Sequence, residues 1–98
     1  MNIAMHPGEF LKNAYLNPLG LSASELSKAI DVTTATVSRL LSGKSSVSPE
    51  MAIRLSKCFE TSPHMWMKMQ YEYDVIWKCA GMDFSNVKRL ANKCTPAE

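Results

Sequence analysis

Residues 22–42 read SASELSKAIDVTTATVSRLLS. With a sharp turn at Asp31-Val32, the apolar residues Leu26, Ile30, Val32, Val37 and Leu40 fall on one side, and small Ser27 stands where two helices would cross closely. Leu26 and Ile30 are one helical turn apart, Val37 and Leu40 are spaced i, i+3, and Val32 plugs the corner between them, which is helix-turn-helix spacing. The opposite face of the second helix carries Thr33, Thr34, Ala35, Ser38, Arg39 and Ser42. Short polar side chains around one long cation suit entry into a DNA groove. A helical hairpin with a solvated face shares the same periodicity.

At 98 residues the chain has material for one domain and a modest core. We place a helix-turn-helix domain over residues 1–80, its last helix serving dimerisation, and a C-terminal tail over 81–98. Apolar residues are interrupted by charge throughout, so no membrane span is expected. The opening MNIAMHPGEF lacks the basic and then apolar regions of a signal peptide, which predicts a cytoplasmic protein. Cys58, Cys79 and Cys94 are odd in number and widely spaced, a pattern of reduced thiols rather than of a disulfide framework.

The formal charge is +2, and the stretch from Ser22 to Lys57 holds all of the excess: Lys28, Arg39, Lys44, Arg54 and Lys57 against Glu25, Asp31 and Glu50. So weak a basic focus favours phosphates without dominating affinity. A monomer should bind DNA feebly and lose its grip in salt, and dimerisation is expected to compensate.

Capping chemistry marks the helix starts. Pro7 suits the first position of a helix running through Phe10 and Leu11 to about Tyr15, ahead of a Pro18-Leu19-Gly20 stop. Ser22 with Glu25 forms a capping box, Thr33 caps the second helix of the motif, and Gly43 ends it. Ser48-Pro49-Glu50 and Ser62-Pro63 start two more helices, the first with a core stripe of Met51, Leu55, Cys58 and Phe59. The result is an all-α chain of five helices with no strand pattern.

Four segments together, HPGEFL, LNPLGLS, TATVSRLLSGKSSVSPEMAIRLSKCF and TSPHMWMKMQYEYDV, resemble the HigA-type antitoxins of the lambda-repressor-like, or XRE-type, helix-turn-helix class. The likeness runs from about His6 to about Trp77. It implies a five-helix DNA-binding domain that dimerises on its operator and represses its own operon. It also implies neutralisation of a RelE-like HigB-type ribonuclease toxin encoded next door. The chain departs from the family at Asp31 and Glu60, where glycine is usual, and at Ser45, which replaces a frequent basic residue. Aspartate tolerates a positive φ at some cost, and glutamate is the more strained of the two.

By that resemblance Thr34, Ala35 and Arg39 stand where the class reads base edges, with Ser38 a further contact and Arg39 able to bond guanine O6 and N7. Ser24, Thr33, Ser42 and Lys44 lie where the duplex backbone should pass. Thr34 and Ala35 are small, so a thymine methyl contact and DNA shape should carry much of the readout.

In the last helix Trp66, Met69, Tyr73, Ile76, Trp77 and Ala80 follow helical spacing, while Met65, Met67, Tyr71 and Val75 add apolar surface on other sides. One domain face cannot bury all of it. We therefore assign dimerisation to Met65, Met69, Tyr73, Ile76 and Trp77. A symmetric dimer sets its recognition helices about 34 Å apart, which calls for an imperfectly palindromic operator. In the tail, Ser85 to Ala91 could form a short helix with Val87 and Leu90 inward and Lys88, Arg89 and Lys93 exposed. A frayed terminus fits as well.

No phosphate loop, paired carboxylates or activated nucleophile points to catalysis, so no enzyme activity, cofactor or metal is expected. Cys58 and His64 match no metal-binding spacing. Two functions stay open: an antitoxin that binds operator and toxin, and a solitary XRE-type regulator with no toxin partner.

Overall fold

A side chain that ends an extended stretch and accepts a free backbone amide opens each helix. The computed structural model describes residues 4–91, and five helices account for their regular structure, with no strand among them. The first, α1, starts as Pro7–Leu11, capped by His6, whose Nδ1 accepts the Gly8 N–H at 2.9 Å. It widens into a π turn over Lys12–Leu16 and closes as Asn17–Leu19 against left-handed Gly20 at φ 67°. It therefore runs past Tyr15, where an end was expected. Pro18 lacks an N–H and would collide with the carbonyl four residues back in a regular α-helix. The wider turn, in which Asn17 N–H bonds to Lys12 O, relieves that conflict.

Helix α2, Ala23–Ile30, has the capping box in full: Ser22 N–H donates to Glu25 Oε1 at 2.8 Å, and Glu25 N–H to Ser22 Oγ at 3.0 Å. Helix α3, Thr34–Leu41, is capped by Thr33, whose Oγ1 accepts the Thr36 N–H. Helices α4, Pro49–Phe59, and α5, Pro63–Tyr73, start on Ser48 and Ser62. Asp74–Lys78 continues α5 as a second π turn.

The inward positions of the motif behave as a set. Leu26, Ser27, Ile30, Val37 and Leu40 are buried, and Val32 is half-buried against the same core. Leu11, Leu16, Val47, Met51, Ala52, Leu55 and Trp66 complete that core. Trp66 has no exposed surface, and its indole N–H donates to Thr61 Oγ1 at 2.8 Å. Phe10 and Tyr15 meet it edge-on and tilted, and Tyr15 stacks on Phe59 with ring centroids 4.4 Å apart. This aromatic cluster ties α1 to α4 and α5.

One expectation is corrected, and an alternative left open in the tail is decided. Cys58 is exposed, because the buried stripe of α4 runs through Met51, Ala52, Leu55 and Ser56, with Phe59 half-buried, and leaves Cys58 outside it. Residues 85–91 form no helix. Val87 and Leu90 are 71% and 59% exposed, with no core surface to hold an apolar face. Lys93 and Cys94 lie outside the described residues. No helix among the described residues is long and apolar enough to cross a membrane.

Helices α2 and α4 end alike, on a non-glycine residue in the left-handed region: Asp31 at φ 61° and Glu60 at φ 55°. Each N–H bonds back to the residue four earlier, Ser27 and Ser56. Glutamate has a full side chain to strain there and no short oxygen to compensate. Glu60→Gly should raise stability by about 0.5–1 kcal/mol in urea unfolding, and by more than Asp31→Gly does; a loss in both would contradict the strain assigned to these helix ends.

Candidate nucleic-acid interface

Helix α3 buries Val37 and Leu40 and turns Thr34, Ala35, Ser38 and Arg39 to solvent. Thr33, Ser42, Lys44 and Ser24 are exposed around that face. The N–H groups of Thr34 and Ala35, at the positive end of the helix, have no partner among the described residues.

Each polar group on this face has a defined state. Ser27 Oγ donates to Ser24 O at 2.7 Å, so in its 3.1 Å contact with Thr34 Oγ1 the threonine is the donor. Thr34 is thereby fixed in direction, keeping lone pairs and a methyl group for a ligand. Thr33 and Thr36 pair their hydroxyls at 2.8 Å. Ser42 Oγ donates to Arg39 O, while the Arg39 guanidinium has no partner among the described residues. A long cation that no described residue holds, in the last turn of this helix, is available to base or phosphate.

The back of α3 rests on contacts that local periodicity does not reveal. Gly8 packs so closely that a Cβ there would fall on the Leu40 carbonyl, which makes glycine obligatory where α1 crosses α3. Beside it His6 is buried, its ring edge-on to Tyr73 at 4.9 Å. Nδ1 accepts from Gly8 N–H, and the ring also lies near the Ser45 backbone, in the loop leaving α3. Gln70 Oε1 accepts the Val47 N–H at 2.8 Å and its amide donates to Asp74 at 2.9 Å, so α5 also holds that loop. On the other side Arg54 of α4 bonds the α2–α3 turn. The buried neighbours of Gly8 and the apolar spacing around Arg54 carry no trace of these partners in the linear sequence.

Of the residues assigned to dimerisation, Met65 and Met69 pack on the core of the same chain and Tyr73 lies half-buried against His6. Ile76 and Trp77 are exposed, as are Tyr71 and Val75. Trp77 also donates its indole N–H to Ala4 O at 2.9 Å. Among the described residues no group of three His, Cys, Asp or Glu side chains is gathered closely enough to hold a metal ion.

The helix-turn-helix family model matches residues 11–66, from the end of the first α-helical segment to the buried tryptophan. This chain belongs to the XRE-type helix-turn-helix family, in its HigA-like group. Antitoxin HigA of Pseudomonas aeruginosa, solved with the higBA promoter, is 32% identical with a TM-score of 0.76, covering 96% of this chain and 98% of its own. The uncharacterized HTH-type transcriptional regulator YddM of Escherichia coli K12 is 35% identical over 95 residues, spanning 95% of this chain and 100% of that protein. Antitoxin HigA-1 of Vibrio cholerae is 34% identical over 70 residues, 71% of this chain and 65% of its own. These relatives are DNA-binding regulators and antitoxins, not enzymes.

Burial holds the His6 pKa below its ordinary value of 6.5, against the opposing pull of the Ser45 backbone and the Asp74 and Glu9 carboxylates. A histidine depressed in the folded state takes up its proton more readily when unfolded. Its contribution to stability is present above the unfolded value and is lost as pH falls below it, through the lower folded value. Wild type should therefore lose urea stability between neutral pH and about pH 5. His6→Asn keeps an acceptor at the helix cap and removes the titration, so it should flatten that slope; equal slopes would assign the loss to other groups.

Proposed function

We propose that this protein is a HigA-type antitoxin: a cytoplasmic homodimer that binds an imperfectly palindromic operator and represses its own operon. In the same reading it binds and neutralises a RelE-like HigB-type ribonuclease toxin. The observation that carries the DNA half is the outward face of α3, where Arg39 has no partner among the described residues and Thr34 is held by Ser27 in a fixed orientation. Likeness to an antitoxin solved on its promoter supports the same use of that face.

Thr34, Ala35, Ser38 and Arg39 read bases in this proposal, and Ser24, Thr33, Ser42 and Lys44 hold the backbone. Salt should weaken binding steeply, since Lys44 and the helix amides engage phosphates. Dimerisation uses the outward side of α5, where Tyr71, Val75, Ile76 and Trp77 are 45–66% exposed. Met65 and Met69 contribute by packing beneath that surface. The toxin half rests on family likeness. A solitary regulator is the second reading, favoured by the end-to-end match with a transcriptional regulator.

Arg39→Ala should weaken binding to the protein's own upstream DNA roughly tenfold or more in gel shifts, a loss within the range of one bidentate guanine contact. Unchanged affinity would remove Arg39 from the reading face. Ile76→Glu should shift the protein to monomer in sedimentation and weaken operator binding with it; an unaltered dimer would place the interface elsewhere. Co-expression with the product of the adjacent small reading frame decides between antitoxin and solitary regulator. A stable complex that restores growth supports the first, and promoter binding without a complex supports the second.

A further inference from the structure

Arg54 belongs to α4 and stands away from the face assigned to DNA, yet its guanidinium reaches the turn that aims α3. Nη1 donates to Ile30 O at 2.8 Å and to Asp31 O at 3.2 Å. Nε and Nη2 donate to Glu50 Oε2 at 3.1 and 2.7 Å, one helical turn earlier on α4. The fork is thus held by its own helix and points its other edge at α2.

The two carbonyls it bonds are the last of α2, at the negative end of that helix, where no further turn supplies a donor. They flank the one residue of the motif with a strained backbone, Asp31 at φ 61° and ψ 51°. Only Asp31 and Val32 separate α2 from Thr33, the cap of α3. Any change in the Asp31 dihedrals therefore swings α3 against α2. Glycine would adopt this conformation without help, whereas aspartate is strained in it.

Resting on the operator-binding reading above, we infer that Arg54 is a positioning residue for DNA recognition: it holds the Asp31 turn in the left-handed conformation that orients α3. It acts through the turn and not on phosphate. Its share of the basic charge is used inside the fold, paired with Glu50 and two carbonyls.

The test is a double-mutant cycle on the full chain, with Arg54→Met, Asp31→Gly and the pair, measured by operator affinity across salt and by amide hydrogen exchange, well below each variant's melting temperature. Arg54→Met should weaken operator binding about fivefold or more and speed exchange at Asp31 and Val32, whose N–H groups both bond to Ser27 O. The slope of affinity against salt should not change. In the Asp31→Gly background the same substitution should cost less than half that factor, because the turn no longer needs the clamp. An equal loss in both backgrounds overturns the inference, as does wild-type affinity in Arg54→Met. A salt slope lower by about one phosphate also overturns it, by making Arg54 a direct contact. Wild type that binds no operator overturns the operator-binding reading and the inference together, which separates that failure from the others.

Discussion

An eight-residue helix cannot hold itself in water, and the second helix of the motif, Thr34–Leu41, has that length. It buries only Val37 and Leu40 fully, with Leu41 half-buried against the core, and leaves most of its remaining surface free. Its direction is therefore imposed by neighbours: the Gly8 backbone pressed on the Leu40 carbonyl, the Ser27–Thr34 hydroxyl pair at its start, and the loop beyond Gly43 held through His6 and Gln70. The remaining helices can be understood as the frame that keeps this short one in place.

That division also sorts the charges. Arg54 and Glu50 satisfy each other and the α2–α3 turn, so removing both from the count leaves the local excess unchanged while cutting the cations available to DNA. Arg39, Lys44, Lys28 and Lys57 remain exposed. Four free cations in that stretch give modest phosphate attraction at physiological salt, where the screening length is about 8 Å. Doubling the surface by pairing two copies is the direct route to a firm grip, and the exposed apolar residues of α5 provide area for it.

Much of this architecture was legible before the structure because it is encoded locally. The Ser22–Glu25 box, the Thr33, Ser48 and Ser62 caps and the Leu26–Leu40 inward set need only residues within a turn or two of each other. Long-range polar bonds left no such mark. Arg54 to Ile30 and Gln70 to Val47 join residues more than twenty positions apart, and neither residue type announces a buried partner. His6 looked like a residue ahead of a proline and is a buried joint between α1, the α3 exit loop and α5. Cys58 failed for a narrower reason: its spacing from Met51 and Leu55 also fits a stripe one residue over, through Ala52 and Ser56, and packing chose that one. After Gly81 the sequence suited a frayed terminus as well as a short helix, and with no surface to lie on the segment forms no helix.

The π turn at Asp74–Lys78 bears on how this protein acquires its outer face. Trp66, Gln70 and Tyr73 lie on one side of α5, and regular α spacing would set Trp77 next in that row. The wider turn delays the row by one position and leaves Trp77 at its edge, half exposed and bonded to Ala4. Chain length, more than side-chain identity, then governs which surface the helix offers. Removal of one residue at Val75 or Ile76 would return Trp77 to the row of Trp66, Gln70 and Tyr73 with every aromatic intact, and so change which side chains the end of α5 offers outward.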